Sequence, residues 1–559
     1  MGIKNQTFLI FLLFTFFTLC SQNLAHQAQY FSTITGGSWV LLQESIGVSA
    51  MHIQVLKNNK IIIFDRTDFG ISNISLPNGK CRYNDKYVKP KDCSAHSVLY
   101  DIATNSVRPL MILTNTWCSS GSVDAQGTLI QTGGSSGGEK VIRSFTPCDD
   151  DSCDWVELSI PLLSRRWYAS NQILPDGRII IVGGRRVFTY EFYPKESEIS
   201  DNVLFPFLVQ TRDPKEENNL YPFLHLLPDG NLFIFANNRS ILFDYTRNEV
   251  LKEYPVLPGG SRNFPCTGSS VLLPLRLTGG IDVNKIPETE IMICGGSRPG
   301  AYTKAYTEHV YVEATRTCGR LKVSDPKPEW IMELMPMPRV MNDMLLLPTG
   351  DVIIINGAAN GTAGWDVAVN PVLFPVLYLP KEVPTRRFVV MNPTNIPRMY
   401  HSTAALLPDG RILVGGSNPH ARYNFTAYPY KTELSLEAFY PPYLDPMYTV
   451  FRPSILTVES VEGTVSYNEM FSVTFVLKVY RSDLGISVVL IAPSFTTHSF
   501  AMNQRMVVLK TISVEQLSAF GYKVNVIGPT NVNVVPPGYY MLFLVNAGVP
   551  SHAVWAKLK

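Results

Sequence analysis

The chain has 559 residues, 45% of them hydrophobic and 17% charged, and its formal net charge is +2. A balance this close to neutral provides no electrostatic footprint for nucleic acid or an anionic membrane surface. Its 40 prolines and 38 glycines suit many short strands and turns and weigh against a helical bundle or a disordered chain.

Residues 1–25, MGIKNQTFLIFLLFTFFTLCSQNLA, place one positive charge ahead of an apolar run from Phe8 to Cys20. The run is too short to span a bilayer, so it reads as a secretory signal peptide cleaved near Ala25. No later stretch is apolar over a membrane-spanning length, and a secreted, extracellular protein without a membrane span is expected.

An apolar run, a turn of the form LPDG, four strand-prone residues and a glycine pair then recur. NQILPDGRIIIVGG, ending at Gly184, and STAALLPDGRILVGGS, ending at Ser417, are the clearest copies; SGSVDAQGTLIQTGG, HLLPDGNLFIFANN and MLLLPTGDVIIINGA are weaker ones. Their turn glycines, Gly127, Gly177, Gly230, Gly350 and Gly410, stand 50, 53, 120 and 60 residues apart. The long interval has room for one degenerate copy, SSVLLPLRL and EIMICGGS joined by an inserted loop, and SAMHIQVLKNNKIIIFDR is a copy without the glycine. Seven units of about fifty to sixty residues predict a seven-bladed kelch-like β-propeller over residues 26–448.

Sequons at Asn73, Asn238, Asn360 and Asn424 lie in loop-like contexts and are candidate glycosylation sites. The repeat stops near FYPPYLDPMYTVFRPS. Beyond it, alternating patterns such as FSVTFVL and ISVVLIA, with no helix signal longer than ISVEQLSAFG, predict an immunoglobulin-like β-sandwich over residues 449–559. The fold class is all-β.

Counting nine residues back from the turn glycines gives Cys118, Tyr168 and His401, and on other units Tyr221 and Met341. Equivalent positions of successive blades lie on a ring about one axis, so these side chains should converge. A sulfur, a phenol oxygen and an imidazole at one point suit copper better than a core. Tyr221 and Met341 would line the same funnel, as substrate contacts or as its wall. The remaining histidines, His52, His96, His225, His309, His420 and His552, show no paired metal-ligand spacing. No GxSxG elbow, HExxH or dinucleotide fingerprint is present.

The segments TNTWCSSGSVDAQGTLIQTGG, SRRWYASNQILPDGRIIIVGG, PRMYHSTAALLPDGRILVGGSN, APSFTTHSFAMNQR and PPGYYMLFLVNAGVPS resemble, in order, the landmarks of the copper radical oxidases, the glyoxal oxidase and galactose oxidase family. The resemblance implies a thioether between Cys118 and Tyr168, and one copper ion held by Tyr168, Tyr400, His401 and His498. It implies that His498 is delivered from the sandwich into the propeller axis. It also implies a plant-type enzyme of the apoplast or cell wall, a monomer, that oxidises an aldehyde hydrate to the acid and reduces O₂ to H₂O₂. Tyr400 would be the general base and Tyr168 the radical. Two departures favour the glyoxal oxidase branch: there is no room for the amino-terminal carbohydrate-binding domain of galactose oxidase, and no tryptophan after Gly184 matches the one stacked on its thioether. A primary-alcohol or galactose-type oxidase with the same cofactor, and a metal-free kelch-type glycan-binding module, are the alternatives.

With Cys118 so used, seven cysteines remain after Cys20 leaves with the signal peptide. Cys81 with Cys93 and Cys148 with Cys153 close short loops, and Cys266 with Cys318 could tie the degenerate blade. Cys294 would then be a buried free thiol.

Overall fold

The computed structural model describes residues 36–83, 91–195, 202–277, 286–460 and 463–559. The expected signal peptide and the sulfur of Cys20 lie outside them. Seven antiparallel blades surround one axis, six of them four-stranded sheets and the first a four-stranded unit extended to six by a hairpin of the C-terminal domain. Their inner strands are His52–Val55, Ser120–Val123, Ser170–Ile173, Phe223–Leu226, Ser269–Leu272, Asp343–Leu346 and Ser402–Leu406, and all are buried except at Val123. The first blade is the copy without the turn glycine, and the fifth is the degenerate copy, its strands Ser269–Leu272 and Glu290–Cys294 flanking the insertion.

The LPDG turn links the first and second strands of a blade because its last residue needs a positive φ. Gly177, at φ 84°, closes the turn by donating its N–H to Leu174 O at 3.0 Å. The glycine pair ending the second strand also takes positive φ, 75° and 129° at Gly183 and Gly184, and a buried arginine binds a carbonyl of the pair. Arg143, Arg166, Arg262 and Arg398 donate through Nη1 to the carbonyls of Gly133, Gly183, Gly295 and Gly416 at 2.7–2.8 Å. Arg166 and Arg398 are neutralised by Glu191 and Glu437 at 2.7 and 2.9 Å. Arg166, Arg262 and Arg398 thereby tie the end of the second strand to the segment that enters the inner strand of the same blade, whereas Arg143 reaches its glycine from the third strand.

The ring closes through a strand that the repeat did not reveal. Ser38–Gln43 forms the outer edge of the seventh blade by pairing with Leu436–Tyr440, so the two ends of the propeller share one sheet.

The sandwich packs one sheet of Ser454–Glu459, Met470–Val476, Gly521–Ile527 and Lys510–Gln516 against a second built on Ile486–Ala492, Arg505–Val508 and Gly538–Asn546. The ISVEQ segment, the best helix signal in this region, is strand Lys510–Gln516: cross-strand pairing with Gly521–Ile527 overrides its local propensity.

The cysteine pairing differs in part from expectation. Cys81–Cys93 and Cys148–Cys153 are bonded, but Cys318 is joined to Cys294, and Cys266 is the buried free thiol beside Cys118. The cause is register: Cys294 and Cys318 are direct partners on neighbouring strands of the fifth blade, with Cα atoms 4.1 Å apart. Of the sequons, Asn73 and Asn424 are exposed, whereas Asn238 and Asn360 are half-buried and the Asn360 amide donates to Tyr311 O at 3.2 Å. Among the described residues no helix is long and apolar enough to cross a membrane.

Candidate metal centre

The residues counted from the turn glycines share an unusual backbone state just before their inner strands. Cys118, Tyr168, Tyr221, Met341 and His401 have φ of 51°, 69°, 51°, 62° and 61°. A side chain in this region costs about 1–2 kcal/mol, so five instances at one repeat position mark a device rather than an accident. All five are buried. The second glycine-pair residue makes room for the turn: a Cβ on Gly416 would lie 2.6 Å from His401 O.

His498 arrives from the other domain. Phe495–Thr497 and Phe500–Met502 form a hairpin that leaves the sandwich and adds to the inner strand of the first blade, pairing His52 with Thr497, Ile53 with Thr496 and Gln54 with Phe495. Main-chain register thus fixes the height of His498 at the hairpin tip, where it has φ 46°.

The donor atoms of Cys118, His401 and His498 all lie within 4.8 Å of one another and are buried. His498 Nε2 stands 3.1 Å from Cys118 Sγ, while its Nδ1 is 2.7 Å from Thr497 Oγ1, which fixes the ring. Both ring nitrogens of His401 are buried without a partner. An unsatisfied buried polar group costs about 1–3 kcal/mol, and here a cation would remove that cost. Tyr400 stacks on His401 with centroids 3.8 Å apart, and the rings of Tyr168, Tyr221 and Tyr400 lie 6.1, 5.0 and 5.8 Å from His498. The Cys118 thiol and the Tyr168 hydroxyl lie close enough to shift each other's titration.

Burial dominates the electrostatics. It holds the hydroxyls of Tyr168, Tyr221 and Tyr400 and the thiol of Cys118 well above their ordinary ranges, with their mutual repulsion adding to the tyrosine shifts. It holds His401 and His498 well below the usual imidazole value, with the neighbouring histidines adding to the effect. Both imidazoles are therefore neutral, the form in which histidine binds metals. This donor set fits a borderline-soft transition metal.

The structure thus brings together Cys118, Tyr168, Tyr221, Tyr400, His401 and His498; Met341 is buried at the equivalent position of the sixth blade. His52, closest of the other histidines, is satisfied by Phe64 O at 3.3 Å and Ser119 Oγ at 3.1 Å. Two rings flanking Tyr168 escaped the sequence reading: Phe264 stacks on it at 4.6 Å, and Trp167 lies 4.6 Å away with planes inclined at 31°. The indole sought beyond Gly184 is supplied instead by the residue immediately before Tyr168. Phe264 had no motif to reveal it; Trp167 was legible from its adjacency.

Residues 51–443 match the glyoxal oxidase N-terminus, and residues 452–558 match the galactose oxidase-like early set domain. A protein of Vitis pseudoreticulata named aldehyde oxidase is 46% identical over 93% of this chain and 97% of its own length. One of Arabidopsis thaliana with the same name is 43% identical over 93% of this chain and 84% of its own. A fungal alcohol oxidase of the AA5 family, solved in complex with copper, superimposes with a TM-score of 0.71 over 94% of this chain and 100% of its own, at 18% identity, and so speaks for the fold alone. Matched along nearly its whole propeller and its sandwich, the chain belongs to the glyoxal oxidase family.

Proposed function

We propose that the protein is a secreted copper radical oxidase that converts small aldehydes of the glyoxal and methylglyoxal type to carboxylic acids while reducing O₂ to H₂O₂. The observation that carries this reading is the buried convergence of the Cys118, His401 and His498 donor atoms within 4.8 Å of one another, with both nitrogens of His401 unpartnered. Three relatives named as aldehyde oxidases or a putative one, 41–46% identical, support the substrate class. Three disulfides support an oxidising compartment.

In this reading Tyr168, Tyr400, His401 and His498 hold the copper. Bound copper stores one electron and, as a cation, offsets the burial that opposes ionisation of the tyrosines. Oxidation of an aldehyde hydrate releases two electrons and two protons, so a second one-electron carrier is required. Tyr168 would be that carrier once joined by a thioether to Cys118, because a ring sulfur would spread the unpaired electron of the oxidised ring. Tyr400 would take the hydroxyl proton of the hydrate as general base in the ionised form that a bound cation favours, since burial alone keeps it protonated. The Tyr168 radical takes the hydrogen from carbon. Trp167 and Phe264 against its ring exclude water and hold its plane. His401 and His498 orient the site without changing oxidation state.

A second reading, a primary-alcohol or galactose-type oxidase with the same cofactor, gains support from the indole against Tyr168. The metal-free glycan-binding module leaves the unpartnered nitrogens of His401 unexplained. Peroxide release by copper-loaded, preoxidised protein separates the three: glyoxal and methylglyoxal should exceed galactose and primary alcohols. Faster turnover of alcohols would select the second reading, and absence of both copper uptake and peroxide would select the third.

A further inference from the structure

Arg66 lies beside the metal centre and has no part in the chemistry described so far. It is 5% exposed, and its guanidinium carbon stands 3.5 Å from the ring centre of Trp117, 4.2 Å from that of Phe69 and 5.6 Å from that of Trp365. Trp117 and Trp365 are themselves stacked, 5.3 Å apart and inclined by 15°. Aromatic faces stabilise a cation but cannot accept its in-plane N–H bonds. One edge of the guanidinium is used, since Nε donates to Asp68. Nη1 is buried and has no partner.

The clamp also locates the group. Phe69 lies 5.9 Å from His401, and Trp117, next to Cys118 in sequence, lies 4.7 Å from Trp167. The charge of Arg66 is felt at Cys118, Tyr400 and His401. Its other acidic neighbour, Asp65, is occupied: Oδ1 accepts from the Arg66 N–H at 2.7 Å and Oδ2 from Tyr423 Oη at 2.8 Å. A buried cation with a free donor edge, clamped in orientation next to the reacting centre, is built to receive a small anion, because carboxylate geometry matches the in-plane fork.

We infer that Arg66 is a substrate-anchoring residue that binds, through Nη1, a carboxylate bonded directly to the reacting aldehyde carbon. The substrate it selects over neutral aldehydes is the hydrate of such an aldehyde acid, glyoxylate. The inference rests on the oxidase reading for its catalytic consequence, but anion binding by the clamp does not depend on that reading.

Two measurements test it on the full chain. In the copper-loaded enzyme, the ratio of kcat/KM for glyoxylate to kcat/KM for acetaldehyde should fall about 10- to 100-fold in Arg66→Gln, as expected for losing a charge-assisted hydrogen bond, chiefly through KM for glyoxylate. Arg66→Lys, which keeps the charge and loses the fork, should recover only part of the ratio. Before copper loading, glyoxylate should change the tryptophan fluorescence saturably in the wild type and not in Arg66→Gln. An unchanged ratio with unchanged fluorescence titrations overturns the inference. So does an equal fall for both substrates with a lowered unfolding temperature, the mark of a structural arginine. Should no aldehyde be oxidised at all, the oxidase reading fails, and the fluorescence titration alone decides whether the clamp binds the anion.

Discussion

The backbone N–H of Tyr168 donates to the backbone carbonyl of Cys118 at 3.0 Å, and the N–H of Tyr221 donates in the same way to the carbonyl of Tyr168. Three successive blades are thus tied by main-chain bonds at the very residues whose side chains face the metal centre. The same link joins Met341 N–H to Thr267 O at 2.8 Å on the far side of the axis. Side-chain spacing at the centre is therefore set by hydrogen-bonded backbone and not by side-chain packing alone, which is the rigidity a redox site needs.

The first prediction concerns the group that fixes His498. Thr497 Oγ1 lies 2.7 Å from its Nδ1 and leaves Nε2 toward Cys118. Thr497→Val preserves the β-branched shape in a strand paired with His52 and removes only the hydroxyl. Copper affinity, measured by competition with a chelator, should fall about 10- to 100-fold, the usual cost of losing an outer partner of a metal-bound imidazole. Unchanged affinity would mean that packing alone orients the ring.

How far the sequence reveals this arrangement depends on which physical signal is local. The turn glycine is local, so the count of nine residues locates Cys118, Tyr168, Tyr221, Met341 and His401 together. His498 has no counterpart in the repeat; only the family resemblance pointed to it, because a hairpin crossing from another domain leaves no periodic trace. Strand Ser38–Gln43 was hidden for a related reason: its partner Leu436–Tyr440 lies at the other end of the propeller. Cys294 was misassigned because loop length says nothing about cross-strand register. Arg66 looked like any charged residue after a strand, and its aromatic clamp comes from three separate segments.

A second prediction follows from buried titrating groups away from the centre. Burial pushes His52 and His225 down to about 3 and lowers His96, so the folded state keeps them neutral where the unfolded chain protonates them. Below about pH 6.5 the unfolded state binds more protons, and stability falls with falling pH by up to about 1.4 kcal/mol per unit for each histidine. Asp343 acts oppositely: burial raises its carboxyl to about 8, so the folded state binds the extra proton between the unfolded value and that pH. Stability from Asp343 is therefore lost as pH rises toward 8. Burial also raises Asp65, to about 7, with the same sign. The unfolding temperature of the metal-free protein should peak near about pH 6–7, and Asp343→Asn should both steepen the rise on the acid side and lessen the fall toward pH 8, because the Asp343 window runs from about pH 4 to about 8. A wild-type curve still rising at pH 8 would contradict the assignment.

The third prediction separates the cysteines. Native protein should resist alkylation, because Cys118 and Cys266 are both buried and burial raises both thiols, that of Cys266 above all through desolvation. Denaturation without reductant should expose Cys266 to iodoacetamide, while Cys294 and Cys318 should become reactive only after reduction. Peptide mapping that finds Cys294 labelled before reduction would restore the pairing of Cys266 with Cys318.

The last prediction is the covalent bond between Cys118 and Tyr168. The backbone bond between the two residues, 3.0 Å from Tyr168 N to Cys118 O, holds neighbouring strands together at this height, and the two side-chain groups are near enough to shift each other's titration. Forming an aryl thioether removes two protons and two electrons from the pair, so it requires a two-electron oxidant, and O₂ would serve in the presence of the metal, leaving as H₂O₂. The bond should therefore be absent from protein produced and kept without copper, and should form once copper and air are added. Mass spectrometry after disulfide reduction and digestion should then find the Cys118 and Tyr168 peptides joined, with a combined mass two hydrogens below their sum. Cys118→Ser should retain the fold and most copper binding, since the sulfur is a ring substituent and not one of the proposed ligands, yet lose most turnover because a plain phenol is harder to oxidise. In the alkylation experiment the same event removes Cys118 from the denatured, unreduced label. Separate peptides in protein that is copper-loaded, air-exposed and active would refute the cross-link and return Cys118 to the role of a buried thiol.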